Sequence, residues 1–193
     1  MEEVRSWAER RGSGTALVMG GGPSLPEDFN RVMDIEADAV LVSVKQHAMI
    51  YLAAEEDIAA EVCCFLEDPD AAGQEGLKTA ILMSPGTWQV SPFYGWSNVV
   101  IDEPWWNGGF SSTLATWFAC AAGFERVLLA GMDCYQGERK YWYDRPAYSH
   151  PCFNSSVEDN LAAWRPAGQF CHDADRIRAV SGPLVDLFGR WVP

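Results

Sequence analysis

Three short segments carry residues able to do chemistry. The first is Gly20-Gly21-Gly22-Pro23-Ser24. Glycines reach torsions closed to other residues and let a ligand approach the main chain closely. Free amides in such a turn point at an anion. The segment has no Gly-Lys-Ser/Thr and no Gly-x-Gly-x-x-Gly spacing, so an ordinary tight turn explains it equally well. The second is Asn107-Gly108-Gly109-Phe110-Ser111-Ser112. Its glycines leave room for a ligand, and Ser111 or Ser112 can cap a helix whose first amides are further donors. The third is Gly131-Met132-Asp133-Cys134-Tyr135, followed by Lys140-Tyr141-Trp142-Tyr143-Asp144. A carboxylate such as Asp133 either takes part in catalysis or ties down loop amides.

These segments need a frame. Thr15–Met19, Ala39–Val44, Val62–Leu66 and Val127–Ala130 are short apolar runs that read as buried strands, with Ile81–Met83 and Val99–Ile101 as further short candidates. Helical spacing is present in residues 1–14, Leu25–Met33, Ile50–Ala60 and, most clearly, Ser111–Ala122. In the last, Leu114, Trp117, Phe118 and Ala121 make one apolar face, and Gly123 stops the helix. Alternating helices and continuous apolar strands predict an α/β fold: one Rossmann-like domain over 1–193, its mostly parallel sheet covered by helices on both faces. All three chemical segments then lie at strand or helix ends, on the side where such sheets bind ligands. Residues 136–172 are rich in Tyr, Arg, Pro and Ser, and read as an irregular lid or insertion.

Composition narrows the partners. The 193 residues carry a net charge of −13, with 48% hydrophobic and 21% charged residues. Such acidity opposes nucleic-acid binding. It also obliges any phosphate site to rely on local dipoles and a few placed cations. No apolar run has the length of a membrane span, and the charged start Met1-Glu2-Glu3-Val4-Arg5 is unlike a secretion signal, which implies a cytoplasmic protein. The six cysteines form no Cys-x-x-Cys pair, and Cys63, Cys64 and Cys120 sit in apolar runs as small buried hydrophobes.

In combination, Gly-x-Gly-Pro-Ser-Leu after the first strand, a Ser opening a small-residue helix, and Gly-hydrophobic-Asp-x-Tyr after the next strand resemble the small bacterial sialyltransferases of the lipo-oligosaccharide type. The motility-accessory-factor and hydroxymethylpterin-pyrophosphokinase-like proteins share the skeleton. The resemblance covers about the first three quarters of the chain, with an echo at Val180-Ser181-Gly182-Pro183-Leu184. It implies that Gly20, Gly22, Pro23, Ser24 and Ser111 hold a nucleotide. It implies further that Tyr135 and Tyr141 bind the leaving phosphate, and that His150, after Ser149, is the general base. The family's Asn in the first turn is Gly21 here, its Asn after the second strand is Lys45 before Gln46, and its Arg before the helix is Gly108. Gly21, Lys45 and Gln46 therefore line the same nucleotide site with different chemistry, and Lys45 can meet a phosphate as a point charge.

The reaction this implies is transfer from an activated nucleotide, a CMP-sugar in the first instance, to a carbohydrate or other hydroxyl, with Asp133, Tyr135, Tyr141 and His150 as catalytic residues and no tightly bound cofactor. His150, with an ordinary pKa of about 6.5, suits proton abstraction near neutrality. An alternative is a magnesium- and ATP-dependent pyrophosphokinase-like enzyme. Asp68-Pro69-Asp70 has the Asp-x-Asp form by which many glycosyltransferases hold a divalent ion, and its hard carboxylates suit magnesium or manganese, although Pro between acids is also common in turns. Zinc would draw on His150, Cys152, Cys171 and His172, but adjacent Cys171 and His172 rarely reach one ion. A third reading is a non-catalytic nucleotide- or sugar-binding module. Trp88, Phe93, Tyr94, Trp96, Trp105 and Trp106 crowd one stretch, as core packing, a sugar-stacking face or a self-association surface.

Overall fold

The strand after the first loop, β1 (Thr15–Met19), has no charged residue and is wholly buried. Ala16 and Val18 join one apolar cluster, while Leu17 and Met19 join another. Such alternation requires cover on both faces of the sheet. The computed structural model, which describes residues 14–56, 60–64, 88–91, 99–100, 110–143, 156–170 and 174–193 with Ser6 and Glu9, supplies that cover. On one face lie α1 (Leu25–Met33) and α2 (Gln46–Tyr51, extended by a π-helical turn at Leu52–Glu56). They bury Leu25, Phe29, Val32, Ala48, Met49 and Leu52. On the other face lie α3 (Ser111–Ala122), α4 (Val157–Phe170) and the short α5 (Val185–Phe188). Their Leu114, Phe118, Trp164 and Phe188 fill the second cluster.

Among the described residues, β1 is joined by β2 (Val40–Val44), β3 (Val62–Cys64), β4 (Trp88–Ser91), β5 (Val99–Val100), β6 (Arg126–Ala130) and β7 (Ile177–Ala179). The sheet order is β5-β4-β3-β2-β1-β6-β7. Every neighbouring pair is parallel, with Ala16 beside Val40 and Val127 in the centre. The α/β fold expected from the sequence is therefore present, and the order reverses at β1. The chain moves outward from β1 through β2 to β5, then returns to place β6 and β7 on the other side.

Individual elements refine the expectation. α1 and α3 have the expected bounds, and Gly123 ends α3 at φ 98°. The N-cap of α3 is Phe110, without a side-chain cap; Ser111 and Ser112 are its first helical residues. Thr113 Oγ1 donates instead to the Phe110 carbonyl at 2.8 Å. The second helix begins at Gln46, not Ile50. The segment read as an irregular lid contains the fourteen-residue α4. Pro166 and Gly168 hide this helix in the sequence, but its start is a capping box. Ser156 N–H donates to Asp159 Oδ2, and Asp159 N–H donates back to Ser156 Oγ, each at 3.1 Å. Ile81–Met83 lies outside the described residues.

At the opposite end of the strands, Arg126 pairs with Glu36 at 2.6 Å, with the Arg126 side chain 54% exposed. Exposed ion pairs contribute little. Arg126→Ala is expected to lower unfolding stability in urea by less than about 1 kcal/mol.

Candidate functional site

A reversal of strand order opens a crevice beyond the carboxyl ends of the two strands that flank it. Here those strands are β1 and β6, and the crevice is walled by Gly20–Ser24 and Gly131–Tyr135. The two turns are laced together. Gly20 N–H donates to Ala130 O and Gly22 N–H to Gly131 O, both at 2.8 Å. Ser24 donates its N–H and its hydroxyl to Asp133 Oδ2, both at 3.0 Å. Little space separates the strands: a Cβ on Gly22 would lie 2.0 Å from Asp133 Oδ2.

This lacing corrects one expectation. The Gly-rich turn is not a nest of amides open to an anion. Three of its N–H groups are spent on the end of β6 and the loop after it, and Pro23 has none. Of the turn's amides, that of Gly21 has no partner among the described residues. The start of α1 is also taken, since Asp133, Asp28 and Glu27 already face it with negative charge. The one amide of the turn left for a phosphate is therefore that of Gly21.

Behind the turn lies a hub absent from the sequence reading. Asp28 is 3% exposed. Its Oδ2 accepts from Gly131 N–H at 3.0 Å, Ser24 Oγ at 2.9 Å and Ser181 Oγ at 2.8 Å. One carboxylate thus ties the loops after β1, β6 and β7. Burial raises its pKa above the ordinary 3.8; the three donated hydrogen bonds oppose this, and the Asp133 charge adds to it. Ser24 Oγ lies against both Asp28 and Asp133 yet has one proton to give. The second contact is satisfied when Asp28 itself carries a proton.

The other wall is aromatic. After Asp133 the backbone turns sharply, with Cys134 at φ 51° and Tyr135 at φ 57°. Non-glycine residues are strained there. Gln136 N–H donates to Asp133 O at 3.1 Å, Lys140 Nζ to Tyr135 O at 2.8 Å, and Asn160 Nδ2 to Cys134 O at 3.3 Å. These bonds hold the turn and aim Tyr135 back at Tyr141, whose ring it meets edge-on at 6.2 Å. Tyr141, 7% exposed, stacks on His47 with centroids 4.8 Å apart. His47 Nδ1 is 2.8 Å from the Tyr143 hydroxyl. Trp142 fastens this loop to both neighbouring strand ends, donating its N–H to Gly21 O and its Nε1–H to His47 O, each at 3.0 Å. Lys45, at φ 54° and ψ −151°, is a further strained residue. Its N–H reaches Cys64 O at 2.9 Å, and its carbonyl accepts from Ser43 Oγ at 2.6 Å.

The structure thus gathers Gly20, Gly21, Gly22, Pro23, Ser24, Asp133, Tyr135 and Tyr141 at one end of the sheet. Lys45 and Gln46 stand at the end of the adjacent β2. Ser111 opens α3 at the same edge and is 6% exposed. His150, Asp68 and Asp70 lie outside the described residues, as do Cys152, Cys171 and His172. Among the described residues no cluster of three His, Cys, Asp or Glu is placed to hold a metal. Cys134, although in the crevice, is no ready nucleophile: burial and the Asp133 charge push its thiol up to about 11. Four site residues were not found from sequence: Asp28, His47, Tyr143 and Ser181. Two of them had a signal: Ser181, in the Ser-Gly-Pro-Leu echo after β7, and Tyr143, in the Lys140–Asp144 segment.

Comparison with known proteins agrees with this architecture. No family model matches the chain, and no curated protein sequence does. The fold is that of the monofunctional alpha-2,3-sialyltransferase Cst-I from Campylobacter jejuni. The two superpose with a TM-score of 0.64 over 94% of this chain and 81% of that one, at 14% identity. It is also similar to the MAf glycosyltransferase from Magnetospirillum magneticum AMB-1, with a TM-score of 0.58 and 17% identity over 88% of this chain. The match spans only 32% of the Magnetospirillum chain. Both are among the groups to which the sequence motifs pointed. Among the described residues no helix is long and apolar enough to cross a membrane.

Proposed function

We propose that this chain is a glycosyltransferase that moves a sugar from a CMP-activated donor to an acceptor hydroxyl. The observation that carries this reading is the contact of Tyr135 with Tyr141 beside Gly21, at the switch point of a sheet shared with two glycosyltransferases. Phenol hydroxyls there suit a departing phosphate, because fixed donors matter most where charge develops. In the transfer, the acceptor oxygen bonds to the anomeric carbon as the bond from that carbon to the phosphate oxygen breaks. The electron pair leaves on the phosphate, and the acceptor proton passes to His150. Asp133 acts through the turn: engaged with Ser24, it fixes Gly20–Gly22 against the site. Ser111 and Lys45 complete the nucleotide pocket, and the reading needs no metal.

Calorimetric titration with CMP, and with ATP plus magnesium, tests the donor. CMP is expected to bind without magnesium, and binding of ATP only with magnesium would replace this reading by a phosphokinase one. For the base, His150→Ala is expected to slow transfer from a CMP-sugar by about a hundredfold or more while CMP binding persists. Undiminished transfer by that variant would remove His150 from the mechanism.

A further inference from the structure

The mechanism leaves His47 and Tyr143 without a task. Yet His47 is a polar ring, 7% exposed, lodged against the Gly-rich turn. Its position explains the glycine at 21, since a Cβ there would come within 2.7 Å of His47 Cγ and 3.1 Å of Tyr141 Cδ1. The turn thus gives up a side chain at 21 and receives an imidazole from α2 in its place. Around this ring the polar groups converge. The Gly21 amide is the turn's one donor without a partner among the described residues. Tyr143 Oη is 2.8 Å from His47 Nδ1, and Tyr141 covers the face of the ring. On the opposite side of the turn, Asp133 repels an anion. In a chain of net charge −13, a phosphate needs placed donors of this kind.

We propose that His47, Tyr143 and the Gly21 amide form a phosphate-recognition element of this site. His47 donates its Nδ1–H to the Tyr143 oxygen, and the phenol O–H turns to a phosphate oxygen once a nucleotide is bound. His47 is thus a positioning residue and Tyr143 a direct donor, beside the Tyr135–Tyr141 pair. The inference rests on the nucleotide-binding reading above and names the part of the ligand that this wall recognises.

The test uses CMP, inorganic pyrophosphate and cytidine as probes, by calorimetry on the full chain. His47→Phe keeps a ring against Tyr141 but has no N–H, and Tyr143→Phe removes one oxygen with little change of shape. Each is expected to weaken CMP and pyrophosphate by about tenfold or more, the loss of a hydrogen bond to a charged group, and to leave cytidine unchanged. His47→Gln, which again offers an N–H, is expected to recover part of the loss. The inference is overturned if both phenylalanine variants bind CMP and pyrophosphate as the wild type does, while the nucleotide reading stands. It is equally overturned if cytidine weakens in parallel, which marks a packing role. If the wild type binds neither CMP nor pyrophosphate, the nucleotide reading falls, and this inference with it.

Discussion

Gly22→Ala is expected to cost at least about 2–4 kcal/mol of stability and to abolish the nucleotide binding proposed for this site. The new Cβ would stand 2.0 Å from Asp133 Oδ2 and 2.7 Å from the Gly131 carbonyl oxygen. Neither neighbour can yield cheaply. The Gly131 oxygen belongs to backbone that accepts the Gly22 N–H at 2.8 Å. Asp133 is fixed by two hydrogen bonds from Ser24. Moving either opens the seam between the loops after β1 and β6, and so displaces Asp133 and the strained turn that presents Tyr135. For a domain of this size the cost corresponds to a fall of roughly 5–15 °C in melting temperature. Gly123→Ala is the matched control: it meets nothing within 4 Å and suffers only from φ 98°. It should cost about 1 kcal/mol and leave CMP affinity intact. Thermal melts and calorimetry on the pair would refute the close-approach argument if the two variants behaved alike.

What could be read in advance follows from how far each interaction reaches along the chain. β1, β6, α1 and α3 were legible because each is a local pattern: an unbroken apolar run, or an apolar face closed by Pro or Gly. β7 was not, since Ile177-Arg178-Ala179 is three residues long and carries a cation in its middle. β4, Trp88-Gln89-Val90-Ser91, alternates too briefly to stand out from the aromatics around it. The Gly20–Ser24 and Gly131–Tyr135 segments were visible as motifs, but their relation was not. Only the parallel register of β1 with β6 brings Ser24 to Asp133, 109 residues away. His47 was invisible for the same reason. Its tie to Tyr143 spans 96 residues, and nothing local separates it from any histidine at the start of a helix. Three of the turn's amides are not open as expected, for a physical reason. The nearest acceptors to a buried turn are the carbonyls of the adjacent strand end, and these took the donors first.

Asp28 sets the second large effect, one with a definite pH signature. Asp28→Ala would strand the Gly131 N–H and take its acceptor from the Ser181 hydroxyl, while the Ser24 hydroxyl keeps Asp133. Unsatisfied buried donors make this a loss of about 2–4 kcal/mol, read by urea unfolding. Asp28→Asn is the more informative variant, since it keeps an acceptor oxygen but cannot titrate. The folded pKa of Asp28 is raised above 3.8, first by desolvation, so between 3.8 and that raised value the native state holds a proton that the unfolded chain has lost. The stabilisation linked to that proton is complete below 3.8 and disappears as pH rises through the folded pKa. Wild type minus Asp28→Asn stability should therefore grow as the solution is acidified from neutrality towards pH 3.8 and level off below it. Most other titrating groups cancel in that difference. A difference that shrinks on acidification would mean that the carboxylate is held ionised by its three donors. Ser24 would then donate to Asp28 or Asp133 alone, and no shared proton would join the two turns.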